Sequence, residues 1–347
     1  MKRYLTRLPA MAAAVCSVAT LAACGTDDAG TSSTSKPAEA KKKLKVAMVT
    51  DIGGLNDRSF NALAYKGLKD AKSQLGVDIR AVTSKSNADY VPNLSSLARQ
   101  KYDVVFAVGF LMAEATDKVA KSFPDTKFAI IDFSAAGLKS KPKNVQGLLF
   151  KENEAGYLAG YMAGLYVKDK GGEQVISTVG GQKIPPVDGY IAGYQAGAKA
   201  ANPAIKTLNG YSQDFVDQAK CKELALNQIG EGSQVVFQVA GQCGLGAVDA
   251  AKEKSVLAIG VDSDQGYLGK QMLTSALKRI DKAVLSTVTE VQGDAYKGGQ
   301  DTLFDAKTDG VGLGKVNADG EKLLPKVEEV KKQIASGEVT DIPAEVK

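Results

Sequence analysis

The sequence predicts an α/β protein built as two doubly wound lobes with a ligand cleft between them. Three observations carry that expectation. Strand-length apolar runs alternate with segments of helical period from Leu44 onward, a second series of the same kind follows residue 152, and 347 residues are more than one core usually fills.

The first series holds LKVAMVT (44–50), VDIRAVT (77–83), DVVFAVG (103–109) and KFAIID (127–132). These runs are short, β-branched and nearly continuous, as parallel strands covered on both faces should be. Between them, RSFNALAYKGLKDAKSQLG, NADYVPNLSSLARQ and LMAEATDKVAKSF carry apolar residues at helical spacing, so the series reads as βαβ units with right-handed crossovers.

A helix over 152–169 follows, with Gly156, Gly160 and Gly164 four residues apart on one face. Glu152, Glu154, Lys168 and Asp169 bracket too short an apolar run for a membrane span, so the face is read as close helix packing in water. The second series then runs QVISTVG (174–180), a helix near 187–201, IKTLNGY (205–211), a helix from about Phe215 to Ile229, QVVFQVA (234–240), a helix near 244–254 and VLAIGVD (256–262). The expected lobes are 44–150 with about 274–305, and 151–273 with about 306–347. Ligands of such folds bind at the carboxyl ends of the strands, which here finish in Asp51, Gly109, Asp132, Gly180, Gly241 and Asp262.

Composition narrows the function. With no His, the Ser-His-Asp and Cys-His nucleophile pairs and His-ligated zinc are excluded. Gly241-x-x-Gly244-x-Gly246 is not a dinucleotide fingerprint and has no phosphate-loop lysine, so dinucleotide or NTP binding is not expected; a C-x-x-C motif is absent as well, and neither cofactor nor metal is expected.

The N-terminus reads as an export signal. Lys2, Arg3 and Arg7 precede the apolar stretch Leu8 to Ala23, and Leu21-Ala22-Ala23-Cys24-Gly25 resembles the lipobox of bacterial lipoproteins, in which the Cys is acylated, as by palmitate. Residues 1–23 are thus expected to be a signal peptide, 24–43 a flexible polar tether, and Cys24 a lipid anchor at the extracytoplasmic face of the cell membrane. Losing Lys2, Arg3 and Arg7 with no acid lowers the formal charge from +5 to +2, which leaves no basic stripe for nucleic acid. Cys221 and Cys243 remain as an even pair in an exported chain and are read as a disulfide.

VTDIGGLNDRSFN (49–61), FPDTKFAIID (123–132), VFQVAGQCGLG (236–246), GVDSDQ (260–265) and LTSALKR (273–279), taken in order, resemble the basic membrane protein family of bacterial lipoproteins, which includes purine nucleoside receptors of ABC importers. The resemblance covers about residues 44–300. It implies a type I periplasmic-binding-protein fold that closes on a nucleoside, a monomer, and an ABC permease as partner.

The residues themselves have plainer readings. Asp51 ends a strand before Gly53-Gly54, Asn56 or Asp57 can cap the helix that Ser59, Phe60 and Asn61 open, and Asp51 and Asn61 are counted among the expected ligand-binding residues. Phe60 stands unusually early in its helix for a core aromatic; by resemblance it is one plate of an aromatic sandwich around the purine. Phe237 reads as core on its own, and by resemblance as the other plate. Asp132 is the carboxylate suited to the base edge. Asp262, or Asp264 two residues on, is suited to ribose hydroxyls, with Lys278 beside them by resemblance. Gly241 and Gly244 let the backbone approach the sugar. The chain is therefore read as a binding protein and not an enzyme. A receptor for a sugar or signalling molecule, or a surface nucleoside hydrolase using Asp51, Asp132 and Asp262, are the alternatives.

Overall fold

A computed structural model describes residues 43–347; the expected signal, Cys24 and the tether through residue 42 lie outside the described residues. The first series folds as β1 (Lys45–Thr50), α1 (Phe60–Leu75), β2 (Asp78–Thr83), α2 (Tyr90–Arg99), β3 (Val104–Val108), α3 (Ala113–Ser122), β4 (Lys127–Ile131) and β5 (Val145–Phe150). The second is α4 (Glu152–Lys170), β6 (Val175–Gly180), α5 (Pro185–Ala201), β7 (Lys206–Tyr211), α6 (Gln218–Gly230), β8 (Val235–Val239), α7 (Gly244–Glu253), β9 (Leu257–Asp262) and β10 (Met272–Lys278). The chain finishes with α8 (Ile280–Gln292), β11 (Asp301–Phe304), β12 (Val311–Leu313), α9 (Ala318–Glu321) and α10 (Leu324–Ser336).

Two six-stranded sheets result, in the orders β11-β5-β4-β3-β1-β2 and β12-β10-β9-β8-β6-β7. Every pairing is parallel except β10 with β12. The continuous apolar runs follow from this burial. β3, β8 and β9 are covered on both faces and buried along their whole length, whereas the edge strands β2 and β7 are only half covered.

The chain crosses between lobes three times: from β5 into α4, from β10 into α8, and from β11 into β12. The second crossing lies later than the sequence suggests. Met272 to Leu277 are registered on β9, so the segment from 274 to Lys278 belongs to the second sheet and the return falls at Arg279, not near residue 274.

α4 and α5 pack backbone to backbone. A Cβ on Gly156 or Gly160 would stand 2.1 or 1.9 Å from the carbonyl oxygens of Tyr190 or Tyr194, and one on Gly193 or Gly197 would meet Asn153 or Tyr157 equally closely. The glycines are therefore a reciprocal contact surface between two helices of one lobe. Among the described residues no helix is long and apolar enough to cross a membrane.

Candidate functional site

Both sheets point their strand C-termini at a common cavity, the place where ligands bind in doubly wound folds. The first lobe contributes Asp51, Asp57, Phe60, Asn61, Phe110 and Asp132; the second contributes Tyr190, Phe215, Val239, Gly241, Asp262 and Lys278.

The loop after β1 is fixed from within. The Asp57 carboxylate accepts the N–H groups of Ser59, Asn61 and Ala62 at 2.8–3.1 Å, which makes it the cap of α1. Asn61 accepts the Asp51 N–H at 3.1 Å and donates to the Ile52 carbonyl at 3.3 Å, so its side chain is a brace. With α1 anchored there, Phe60 presents its ring to the cavity from the first helical position. Asp51 Oδ1 accepts from Tyr90 and from the Ile52 N–H. Burial raises the Asp51 pKa, against these two bonds. Among the described residues, Asp51 Oδ2 and Asp132 Oδ2 accept no hydrogen bond.

Lys278 carries the charge balance. Its ammonium lies 2.6 Å from Asp132 Oδ1 and 2.8 Å from Glu152 Oε1, with the rings of Phe60 and Phe150 at 5.3 and 4.9 Å. Its side chain is 2% exposed. Burial acts to lower its pKa, and Asp132, Glu152 and Asp262 more than offset that, so the amine stays firmly charged. Burial raises the pKa of Asp132 and of Glu152, with Lys278 opposing in both cases. Glu152, in the first turn of α4, was legible in the sequence only as a polar bracket to an apolar run.

Asp262 ends β9 and lines the same cavity. It adopts φ of +62°, and its carboxylate accepts from Ser59 Oγ of the opposite lobe at 2.7 Å and from the Tyr190 hydroxyl at 3.3 Å. Burial pushes its pKa up to about 6, against the pull of Lys278 and Ser59. Asp264 turns away to cap the Gly266 N–H and does not line the cavity.

Three expectations are corrected here, those for Phe237, Phe215 and Gly244. Phe237 is fully buried, packed on Tyr194 at 5.0 Å and edge-on to Tyr190 at 6.0 Å between ring centroids; the cavity reaches Val239, two residues on, and not Phe237. The second-lobe phenylalanine that does line the cavity, beside Tyr190, is Phe215. The sequence suggested it as the first residue of a helix, but Asp217 caps α6 through the Ala219 N–H, and Phe215 is left in the preceding loop. Gly241 lines the cavity at φ +56°, whereas Gly244 lies against the Gln238 side chain, whose Oε1 would be 1.7 Å from any added Cβ. Cys221 and Cys243 are joined by a disulfide.

The arrangement is rich in buried carboxylates around a single, already paired cation, with aromatic rings from each lobe. It favours an uncharged ligand with hydrogen-bond donors and a flat face, and disfavours anions.

The sequence profile of the family described as PnrA-like ABC transporter substrate-binding proteins matches residues 44–344. The chain is 34% identical over 363 residues to an ABC transporter nucleoside-binding protein, BmpA, of Lactococcus lactis subsp. cremoris, covering 98% of this chain and 99% of that one. It is 37% identical over 283 residues to an uncharacterised lipoprotein of Pyrococcus abyssi, covering 78% and 69%. The crystal structure of an ABC transporter solute-binding protein from Aeropyrum pernix superposes with a TM-score of 0.78 at 28% identity, covering 86% of this chain and 94% of that chain.

Proposed function

This chain belongs to the PnrA-like family of ABC transporter substrate-binding proteins, and from that premise we propose that it captures purine nucleosides outside the membrane and delivers them to an ABC permease. The observation that carries the reading is the pairing of Phe60 and Phe215 from opposite lobes with the open carboxylate oxygens of Asp51 and Asp132 in one cavity. The base stacks between the two rings, a contact worth roughly 1–3 kcal/mol per base and indifferent to which base it is. Asp51 and Asp132 accept from base N–H and amino groups, and Asp262 accepts from ribose hydroxyls, oriented by Ser59 and Tyr190. Lys278 opposes the effect of burial on Asp132, Glu152 and Asp262 and, by the family resemblance, faces the sugar.

Capture needs no bond chemistry. The lobes close about the three crossings, and the ligand favours the closed state by the contacts it makes to both lobes there. Residues 1–23 direct export, acylated Cys24 holds the protein at the extracytoplasmic face, and the tether gives a monomeric binding unit its reach. The lipoprotein name of the Pyrococcus relative agrees with this anchoring.

A thermal-shift screen of residues 25–347, unfolded and refolded to strip bound ligand, tests the reading. Any ligand that binds only the native state raises the melting temperature. Shifts with adenosine, guanosine or inosine but not with ribose or free bases are expected. A response to sugars and to no nucleoside would overturn the ligand class.

A further inference from the structure

Phe215 stands in the loop between β7 and α6, and its backbone is held to the second lobe chiefly by one residue. The Cys243 N–H donates to the Phe215 carbonyl oxygen at 3.0 Å. Cys243 is also bonded through sulfur to Cys221, the fourth residue of α6, so a ring is closed: Phe215, the chain to Cys221, the disulfide, Cys243, and back to Phe215. Both cysteines are fully buried in a small apolar cluster with Val179, Ala225, Val236 and Ala247.

The same ring governs the cavity wall. Gly241 and Gln242 line the cavity and immediately precede Cys243. On its far side the Phe215 ring lies over Gly181, where an added Cβ would come within 2.3 Å of the ring. Ser212, near the start of the loop, sits with Oγ 3.5 Å from Cys243 Sγ and bonds the Gly180 carbonyl at 3.2 Å. Phe215 is thus seated between Gly181 and the Gln242-Cys243 turn, and the disulfide fixes the distance of that turn from α6.

We propose that the Cys221–Cys243 disulfide is a positioning element of the binding site: it holds Phe215 and the Gly241-Gln242 backbone as the second-lobe wall, so that reduction weakens ligand binding in protein that is still folded. The stacking role of Phe215 rests on the nucleoside reading; the hold on the loop does not. A bond that served stability alone would lower the melting temperature and leave the affinity of the folded protein unchanged.

Two measurements on the full chain carrying Cys221→Ala and Cys243→Ala separate these cases. The first is amide hydrogen exchange without ligand, in which residues 212–217 and 241–243 are expected to lose protection while β6 and β8 keep theirs. Unchanged exchange in the loop would overturn the proposal whatever the ligand is. The second is affinity for adenosine, guanosine and inosine in a double-mutant cycle with Phe215→Ala. The alanine pair is expected to weaken binding about tenfold beside Phe215, the scale of one stacking contact, and less than about twofold beside Ala at 215. Equal losses in both backgrounds would overturn the route through Phe215. If no nucleoside binds wild-type protein, the nucleoside reading fails while exchange still decides the proposal. Should the alanine pair not fold, the same exchange on wild-type protein before and after phosphine reduction serves instead.

Discussion

Lys278 and Asp132 meet across the cleft: the ammonium at the end of β10 in one lobe lies 2.6 Å from a carboxylate oxygen just past the end of β4 in the other. Glu152, where the chain first enters the second lobe, takes the same ammonium at 2.8 Å. One buried cation therefore joins both lobes to a crossing between them, and no part of this charge cluster can be removed alone without leaving another part unpaired.

Replacing Lys278 by Met should accordingly destabilise the ligand-free protein by about 3–5 kcal/mol, the usual cost of breaking a buried pair from one side. The triple variant Lys278→Met, Asp132→Asn, Glu152→Gln should recover much of that loss. Urea unfolding measures both; a single variant as stable as wild type would show that the cluster is not ionised as described.

The two phenylalanines of the second lobe should separate binding from stability. Phe215→Ala is expected to weaken nucleoside binding about tenfold by loss of one stacking face, with little change in ligand-free melting. Phe237→Ala opens a cavity between Tyr190 and Tyr194 and should cost about 3–5 kcal/mol. Calorimetric titration and thermal melts on the pair would reverse the assignment if the effects were exchanged.

The pH dependence of Asp262 has a definite sign. Its native pKa, raised to about 6 by burial, exceeds its unfolded value, so between roughly pH 4 and 6 the native state binds the extra proton. Its burial penalty is thus present above pH 6 and relieved as pH falls through 6 toward 4. Relative to Asp262→Asn, wild-type protein should gain stability on acidification from pH 7 to 5, while its nucleoside affinity falls as the carboxylate loses its charge. Parallel pH curves for the two proteins would contradict the shift.

Contact between α4 and α5 gives a test away from the cleft. Gly160→Ala forces a methyl to within 1.9 Å of the Tyr194 carbonyl, so the helices must separate, at a cost of about 1–3 kcal/mol or more. Tyr190, which bonds Asp262, rides on α5, and the same change should weaken ligand binding. Denaturant midpoints and calorimetric titration check both effects.

Much of this molecule is written in the order of its residues. Strands buried on both faces need continuous apolar runs, and such runs appear at 44–50, 103–109, 127–132 and 256–262. Because ligands gather at strand C-termini in doubly wound sheets, Asp51, Asp132 and Asp262 could be nominated from position alone. The two candidate caps Asn56 and Asp57 were likewise visible, and hydrogen bonding selected Asp57. β5, β10, β11 and β12 do not stand out in the sequence: β5 follows a loop without helical period, β10 is interrupted by Thr274, Ser275 and Lys278, and the last two have only four and three residues.

The sequence by itself thus determined the layered fold, the end of each sheet at which the cavity lies and the acids that line it, because these follow from hydrophobic period and from residues at strand ends. The tertiary structure alone decided which aromatic faces the cleft, where the chain returns between lobes, and that Glu152 shares Lys278. A run apolar on both faces carries no contrast to say how deep each side chain lies, so Phe237 and Phe215 were distinguishable only once α5 covered the first and the cap at Asp217 freed the second. Likewise, Met272–Lys278 joins the second sheet because its backbone finds β9, a partner that local sequence does not name.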